Sequence, residues 1–179
     1  MRITLAVLLL SASALAQTKP AAVTDACGPK GVVFDVKTDN SQHTLAQPEA
    51  GKAILYVVSH SGLACGPGGW CMMRVGLDGK WVGAFKRRPS SLYNFYFYVS
   101  VEPGEHHVCV NAQSGPGDMI ALMHFTAEAG NVYYLGIQGA VSYAGYSRFL
   151  NAEPLDSDEG KYLIATSPLS VSQPKSPKK

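Results

Sequence analysis

The chain has few charged residues and little net charge for its length. Only 16% of its 179 residues are charged, and the formal net charge at pH 7 is +2. Proteins that bind nucleic acid usually carry a strong basic excess or a basic stripe, so the composition gives no support to that function. The chain is rich in turn-forming residues instead, with 18 glycines and 11 prolines. This composition favours many short strands over long solvated helices.

Long apolar runs are also missing, except at the N-terminus. Met1-Arg2 is a short positive segment, Ile3 to Leu10 is apolar, and Ala14-Leu15-Ala16 fits the small-x-small rule for a cleavage site. This pattern predicts a signal peptide over residues 1–16, because the apolar run is too short to span a bilayer. We therefore expect an exported protein, periplasmic or extracellular, with no transmembrane segment after cleavage.

Cysteine is scarce, but its count is even. The four cysteines are Cys27, Cys65, Cys71 and Cys109, and an even number in an exported domain suggests two disulfides. Three pairings are possible, and the sequence alone does not choose among them. We favour Cys65–Cys71, because closing that short loop costs little chain entropy. The remaining pair, Cys27–Cys109, would tie an N-terminal arm to a core strand.

The body of the chain alternates between strand-like segments and turn signals. Such a pattern predicts an all-β fold, and we expect an antiparallel β-sandwich, immunoglobulin-like in general shape. The strand candidates are Gly31–Lys37, Lys52–Ser59, Cys71–Leu77, Lys80–Phe85, Leu92–Val101, His106–Ala112, Met119–Ala127, Val132–Gln138 and Arg148–Glu153. The apolar run Lys52–Ser59 is typical of a central strand that is covered on both faces.

The regions around this body differ in composition. Residues 17–30 are rich in Ala, Pro and Thr and predict an arm or linker, and the sandwich domain is expected over residues 31–170. The one helix candidate is Asp156–Ser167, where acidic residues in the first turn suit the helix dipole. Residues 171–179 are rich in Pro, Ser and Lys and predict a disordered basic tail.

Several turn and strand motifs together resemble a known family. They are GKA at Gly51–Ala53, VGLDGKWVG at Val75–Gly83, VEPGEHHVC at Val101–Cys109, FTAEAGNVYYL at Phe125–Leu135 and LDSDEGKYLI at Leu155–Ile164. On these motifs the run from Gly51 to Ile164 resembles the exported bacterial family of domain of unknown function 2846. The resemblance implies an envelope or secreted β-sandwich and brings no catalytic residues with it.

Motifs for catalysis are missing from the sequence. There is no Gly-x-Ser-x-Gly elbow, and the adjacent residues Ser59, His60 and Ser61 point apart at a strand end, so they do not form a triad by themselves. We therefore predict a non-catalytic binding or structural module of the cell envelope, without a cofactor.

Histidine and cysteine residues support an alternative function in metal binding or redox chemistry. His60, Cys65 and Cys71 surround one loop, while His107 and Cys109 share a face of one strand and His124 lies on a possible neighbour. Imidazole and thiolate groups together suit zinc or copper. Oxidation of the cysteines to disulfides would remove the thiolate ligands, which is why the alternative ranks second.

Aromatic residues suggest the binding surface. Tyr96 and Tyr98 alternate with Phe95 and Phe97 on one strand, so they point to the opposite face. If exposed, they would form a platform for an envelope glycan or for another envelope protein. Loop residues that would extend it are Trp70, Tyr143 and Tyr146. The competing interpretation is that this strand is covered on both faces.

Overall fold

The computed structural model describes residues 27–59, 71–87, 94–114, 117–141 and 148–175. This part of the chain forms ten strands and one helix, α1, at Ser157–Ala165. The strands are β1 (Phe34–Asp39), β2 (Ala53–Ser59), β3 (Cys71–Leu77), β4 (Lys80–Arg87), β5 (Phe95–Val101), β6 (Gly104–Ser114), β7 (Gly117–Ala127), β8 (Val132–Val141), β9 (Arg148–Pro154) and β10 (Leu169–Pro174). The predicted signal peptide at residues 1–16 lies outside the described residues.

The strands form two sheets that pack face to face. The six-stranded sheet has the order β1-β10-β5-β2-β8-β9, and the four-stranded sheet has the order β4-β3-β6-β7. The prediction of an all-β sandwich with one short helix near the C-terminus is thereby confirmed. Neighbouring strands are antiparallel with two exceptions, since β2 pairs with β8 and β10 pairs with β5 in parallel. The expected antiparallel pairing therefore holds for most of the fold but not for these two contacts.

Strand β2 lies at the centre of the six-stranded sheet, as its apolar run predicts. All seven of its residues are buried. Successive side chains point to opposite faces, so Leu55 and Val57 enter the core between the sheets, while Tyr56 and Val58 enter a second apolar cluster on the outer face.

Helix α1 covers that outer face of the six-stranded sheet. Its N-cap residue Asp156 accepts hydrogen bonds from the backbone N–H groups of Asp158 and Glu159, which satisfies two of the free donors of the first turn. Leu163 and Ile164 are buried against the sheet. The predicted helix is confirmed, and it ends two residues earlier than expected.

The expected disordered tail is wrong for Val171 to Pro174, which belong to strand β10. This strand lies between β1 and β5, and the sandwich domain therefore extends beyond residue 170. The sequence pattern did not predict this strand, because serine stands in place of apolar residues on the inward side of β10. The hydroxyl of Ser170 donates to the carbonyl of Ala84 on β4 over 2.8 Å, and the hydroxyl of Ser172 accepts from the N–H of Ala84 over 3.0 Å.

The N-terminal arm is attached to the four-stranded sheet by the disulfide Cys27–Cys109, which spans 82 residues of sequence. This pairing agrees with the one that the sequence analysis favoured. The other pair, Cys65–Cys71, cannot be followed, because Cys65 and the side chain of Cys71 lie outside the described part of the chain. No helix among the described residues is long and apolar enough to cross a membrane.

Candidate functional site

The arm, residues Cys27 to Val33, lies across the outer face of the four-stranded sheet. Two glycines allow this close approach. A Cβ atom at Gly76 on β3 would overlap the carbonyl group of Cys27, and a Cβ atom at Gly28 would lie 2.8 Å from three atoms of the Trp81 indole. Gly28 also has a φ of 149°, in a region that side chains disfavour. The sequence therefore permits the backbone of the arm to touch the sheet at these two points.

Trp81 on β4 holds the arm in place. Its indole N–H donates a hydrogen bond to the carbonyl of Pro29 over 2.9 Å. The guanidinium carbon of Arg74 lies 4.5 Å from the ring centroid, which is close enough for a cation–π interaction. Trp81 thus joins the arm to the strand that carries Arg74.

Arg74 is a charged residue in an almost fully buried position, with 9% of its surface exposed. Its NH1 group donates to the carbonyl of Val32 over 3.0 Å, while Nε and NH2 donate to the side-chain oxygen of Asn111 over 3.2 and 2.6 Å. Burial lowers the pKa of the guanidinium, and the negative charge of Asp118 acts in the opposite direction. Arginine remains protonated at physiological pH, so the arm covers a positive charge.

An amide side chain connects this positive charge to the nearest carboxylate. Asn111 accepts from Arg74 and donates from Nδ2 to Asp118 over 3.0 Å. Within the described residues, the carboxylate of Asp118 forms no direct ion pair with Arg74. Buried charges normally have a paired counter-charge, and here the link between Arg74 and Asp118 runs through the amide of Asn111.

These residues form a cleft of about 330 Å³, here called the arm cleft. Its volume falls at the lower end of the range for small-molecule sites, roughly 300–1,000 Å³. The lining combines the arm residues, Lys30 among them, with Arg74, Trp81, Asn111, Gln113 and Asp118. The arm cleft therefore brings a buried guanidinium, a lysine, two amide side chains and one carboxylate around a space that suits a small polar ligand.

A second depression lies at the outer face of the six-stranded sheet. It has a volume of about 650 Å³ and is formed by the segment Thr38–His43, the start of β5 and residues Ile164–Pro168 at the end of α1. Its polar groups are mostly hydroxyls, the amides of Asn40 and Gln42, and the imidazole of His43, which pairs with Asp39. We call it the helix groove. It lacks a buried charge among its described lining residues, and for that reason the arm cleft is the better candidate.

The predicted tyrosine platform is not assembled as expected. Tyr96 is buried, whereas Tyr98 is 46% exposed. Tyr96 and Tyr98 pack on Tyr56 with ring centroids 6.2 and 5.4 Å away, and Tyr134 stacks on Tyr56 at 5.6 Å. The condition of exposure is therefore met by Tyr98 but not by Tyr96, which packs in the cluster that contains Leu163 and Ile164 of α1. The other platform candidates, Trp70, Tyr143 and Tyr146, lie outside the described residues.

The histidine and cysteine candidates divide into three groups. His60 and Cys65 lie outside the described residues, and Cys109 is bound to Cys27, so it supplies no thiolate. His107 and His124 lie directly opposite each other on β6 and β7. In the part of the chain that the structure describes, no group of three metal-ligating side chains is found.

The site residues predicted from the sequence did not include Arg74, Trp81 and Asn111. One signal was present, since Arg74 is the only charge in the strand Cys71–Leu77 (CMMRVGL). A charge inside an apolar strand implies a buried partner. The partners themselves are 37 and 42 residues away along the chain, so only the fold brings them together.

Comparisons of this chain with protein-family models, with curated proteins and with solved structures find no match. The resemblance to domain of unknown function 2846 consequently stays a prediction that rests on the turn and strand motifs.

Proposed function

We propose that the protein is an exported, non-catalytic binding module of the bacterial cell envelope, and that the arm cleft is its ligand site. The predicted signal peptide supports export. The disulfide Cys27–Cys109 fits folding in an oxidising compartment. Membership of the family of domain of unknown function 2846 would agree with this localisation and remains part of the proposal.

The observation that carries the proposal is the position of Arg74. Three of its five N–H groups have acceptors among the described residues, namely Asn111 and Val32. Charge-assisted hydrogen bonds from a guanidinium are strong and geometrically selective for carboxylate and similar anions. The ligand class that fits is a small anionic molecule, and among envelope components this means an acidic saccharide.

The groups at the edge of the arm cleft suit the rest of such a ligand. Gln113 is exposed and Asp118 is exposed, and both line the cleft. Amide and carboxylate side chains pair with hydroxyl groups. In this arrangement Arg74 would select for negative charge, while Gln113 and Asp118 would select for hydroxyl position.

Ligand-observed NMR tests the proposal with acidic oligosaccharides and matched neutral ones. We expect saturable binding of an acidic member and at least tenfold weaker binding to Arg74→Lys, which keeps the charge but loses the planar fork. Gln113→Ala tests the rim without removing a buried group. Gln42→Ala, in the helix groove, is the matched control and should bind like the unmodified protein.

Two results would contradict this assignment. Equal binding of acidic and neutral oligosaccharides would show that Arg74 does not select the ligand. Loss of binding in Gln42→Ala alone would show that the ligand binds in the helix groove.

The export step has a separate test, the intact mass of the protein from the periplasm. A mass that corresponds to a chain beginning at Gln17 supports export, and an uncleaved chain found in the cytoplasm contradicts it.

A further inference from the structure

Two histidines face each other on the exposed side of the four-stranded sheet. His107 on β6 is the register partner of His124 on β7, and both residues are exposed. The preceding residue, His106, points to the opposite face, where it is 9% exposed and packs on Phe125. The alternation along β6 therefore directs His107 to the same outer face as Cys109 and the arm cleft.

The backbone contacts of His107 determine how close the two histidines are. Its N–H donates to Oδ1 of Asp78 over 2.9 Å, and its carbonyl accepts from the N–H of Asp78 over 2.9 Å. In an antiparallel strand, the N–H and C=O of one residue point to the same side. Both groups of His107 consequently point away from β7, and His107 and His124 form a non-hydrogen-bonded pair.

This kind of pair brings side chains together more closely than the alternative. In a non-hydrogen-bonded pair the Cα atoms are about 4.5 Å apart, and the side chains stand side by side on one face. Within the described residues, neither imidazole ring has a hydrogen-bond or ion-pair partner. By contrast, both ring nitrogens of His106 are 2.6 Å from oxygen acceptors. The rings of His107 and His124 are thus the ones with nitrogens available as ligands.

We infer that His107 and His124 together bind a divalent first-row transition metal ion as a two-imidazole chelate. Neutral imidazole suits copper, nickel and zinc, and among these ions Cu²⁺ binds nitrogen sites most strongly. The second imidazole binds within the same molecule, so the pair holds the ion more tightly than either histidine alone. Glu105, two residues before His107 on the same face of β6, adds a negative charge nearby.

Calorimetric titration of the metal-free, disulfide-intact protein with Cu²⁺ tests this site. We expect one ion per chain at the pair and at least tenfold weaker binding in His107→Asn and in His124→Asn. His43→Asn is the matched control, because His43 is a partly exposed histidine in a separate segment that contacts Asp39 and Ser41. Its affinity for Cu²⁺ should stay within twofold of the unmodified protein.

The two single variants distinguish a chelate from separate sites. A chelate loses its tight binding when either histidine is replaced, whereas independent histidines would lose only half of the stoichiometry. The electron paramagnetic resonance spectrum of bound Cu²⁺ should show coupling to two imidazole nitrogens, and to one in each variant. The double variant, His107→Asn with His124→Asn, measures any Cu²⁺ that binds to the terminal amine instead of the histidine pair. Single variants that bind with unchanged affinity, or a control that binds as weakly as they do, would overturn the inference.

Discussion

His106 donates a hydrogen bond from Nδ1 to Oδ2 of Asp78 over 2.6 Å, and so joins the turn between β3 and β4 to strand β6. The other ring nitrogen, Nε2, is 2.6 Å from the carbonyl of Glu102. Two acceptors for one imidazole favour the doubly protonated, positive form. Burial by itself lowers the pKa of His106, but the hydrogen bonds to Asp78 and Glu102 and the charge of Asp78 outweigh it, so the pKa is raised.

The stability of the fold should therefore depend on pH through His106. Because the pKa is higher in the folded protein, the stabilisation is complete below the unfolded pKa of about 6.5 and is lost as the pH rises through the folded pKa. We expect the free energy of unfolding to fall between pH 6 and pH 9, and His106→Gln to flatten this slope. At pH 6 the variant should be about 1–3 kcal/mol less stable. Urea denaturation across this pH range measures both effects.

The acidic partner gives the opposite dependence at low pH. Burial raises the pKa of Asp78, but hydrogen bonds from the backbone of His107 and from His106 outweigh it and lower the pKa. That stabilisation is present above the unfolded pKa and is lost as the pH falls through the lower folded pKa. An NMR titration in which the imidazole of His106 titrates at or below 6.5 would contradict the pairing of His106 with Asp78. The control for His106→Gln is His124→Asn, which replaces a histidine on the exposed face.

Much of the fold follows from local chemistry that the sequence displays. Asp78-Gly79 predicts a two-residue hairpin, and both residues have the positive φ that this turn requires, 50° and 74°. Strand β10 escaped prediction because its inward residues are Ser170 and Ser172, whose hydroxyls are satisfied by the backbone of Ala84. Composition registers serine as polar and cannot show that a partner lies 86 or 88 residues away.

The candidate site was less accessible to sequence reasoning than the fold. Alternation correctly separated Tyr96 from Phe95 and Phe97, but it could not show that α1 covers one side of the strand. Arg74 and Asn111 can be recognised as site residues only as a pair, because both are buried and they are joined by a hydrogen bond. Sites built from contacts between distant strands depend on tertiary packing, which no short motif encodes.

The disulfide Cys27–Cys109 should stabilise the fold substantially. It closes a loop of 82 residues, for which the loss of chain entropy in the unfolded state predicts about 4.5 kcal/mol. We expect the double variant Cys27→Ser with Cys109→Ser to lose roughly this amount of stability in urea denaturation. Its arm should also become accessible to protease, because Cys27 no longer holds it on the sheet. A double variant as stable as the unmodified protein would show that the arm is held by Trp81 and Arg74 alone.

Gly160 should be intolerant of alanine although it lies in a helix. Alanine is normally favoured over glycine in helices by about 1 kcal/mol, but a Cβ atom at Gly160 would overlap the ring of Tyr134. We therefore expect Gly160→Ala to destabilise the protein by about 1–3 kcal/mol, the usual cost of overpacking. Lys161→Ala is the matched control on the exposed side of α1 and should change stability little. A gain in stability in Gly160→Ala would mean that helix α1 lies further from the sheet.

Ser170 and Ser172 should contribute to stability by protecting the edge of the four-stranded sheet. Strand β4 is an edge strand, and exposed backbone groups at an edge invite pairing with other chains. The hydroxyls of Ser170 and Ser172 form hydrogen bonds with the carbonyl and the N–H of Ala84. The double variant Ser170→Ala with Ser172→Ala removes both hydrogen bonds. We expect the double variant to lose about 2–4 kcal/mol, from one buried and one partly buried hydrogen bond, and to aggregate more readily on heating. Ser41→Ala, which removes an exposed hydroxyl bonded to Asp39, should show neither effect in denaturation and light-scattering measurements, and equal behaviour of the two variants would contradict an edge-protecting role.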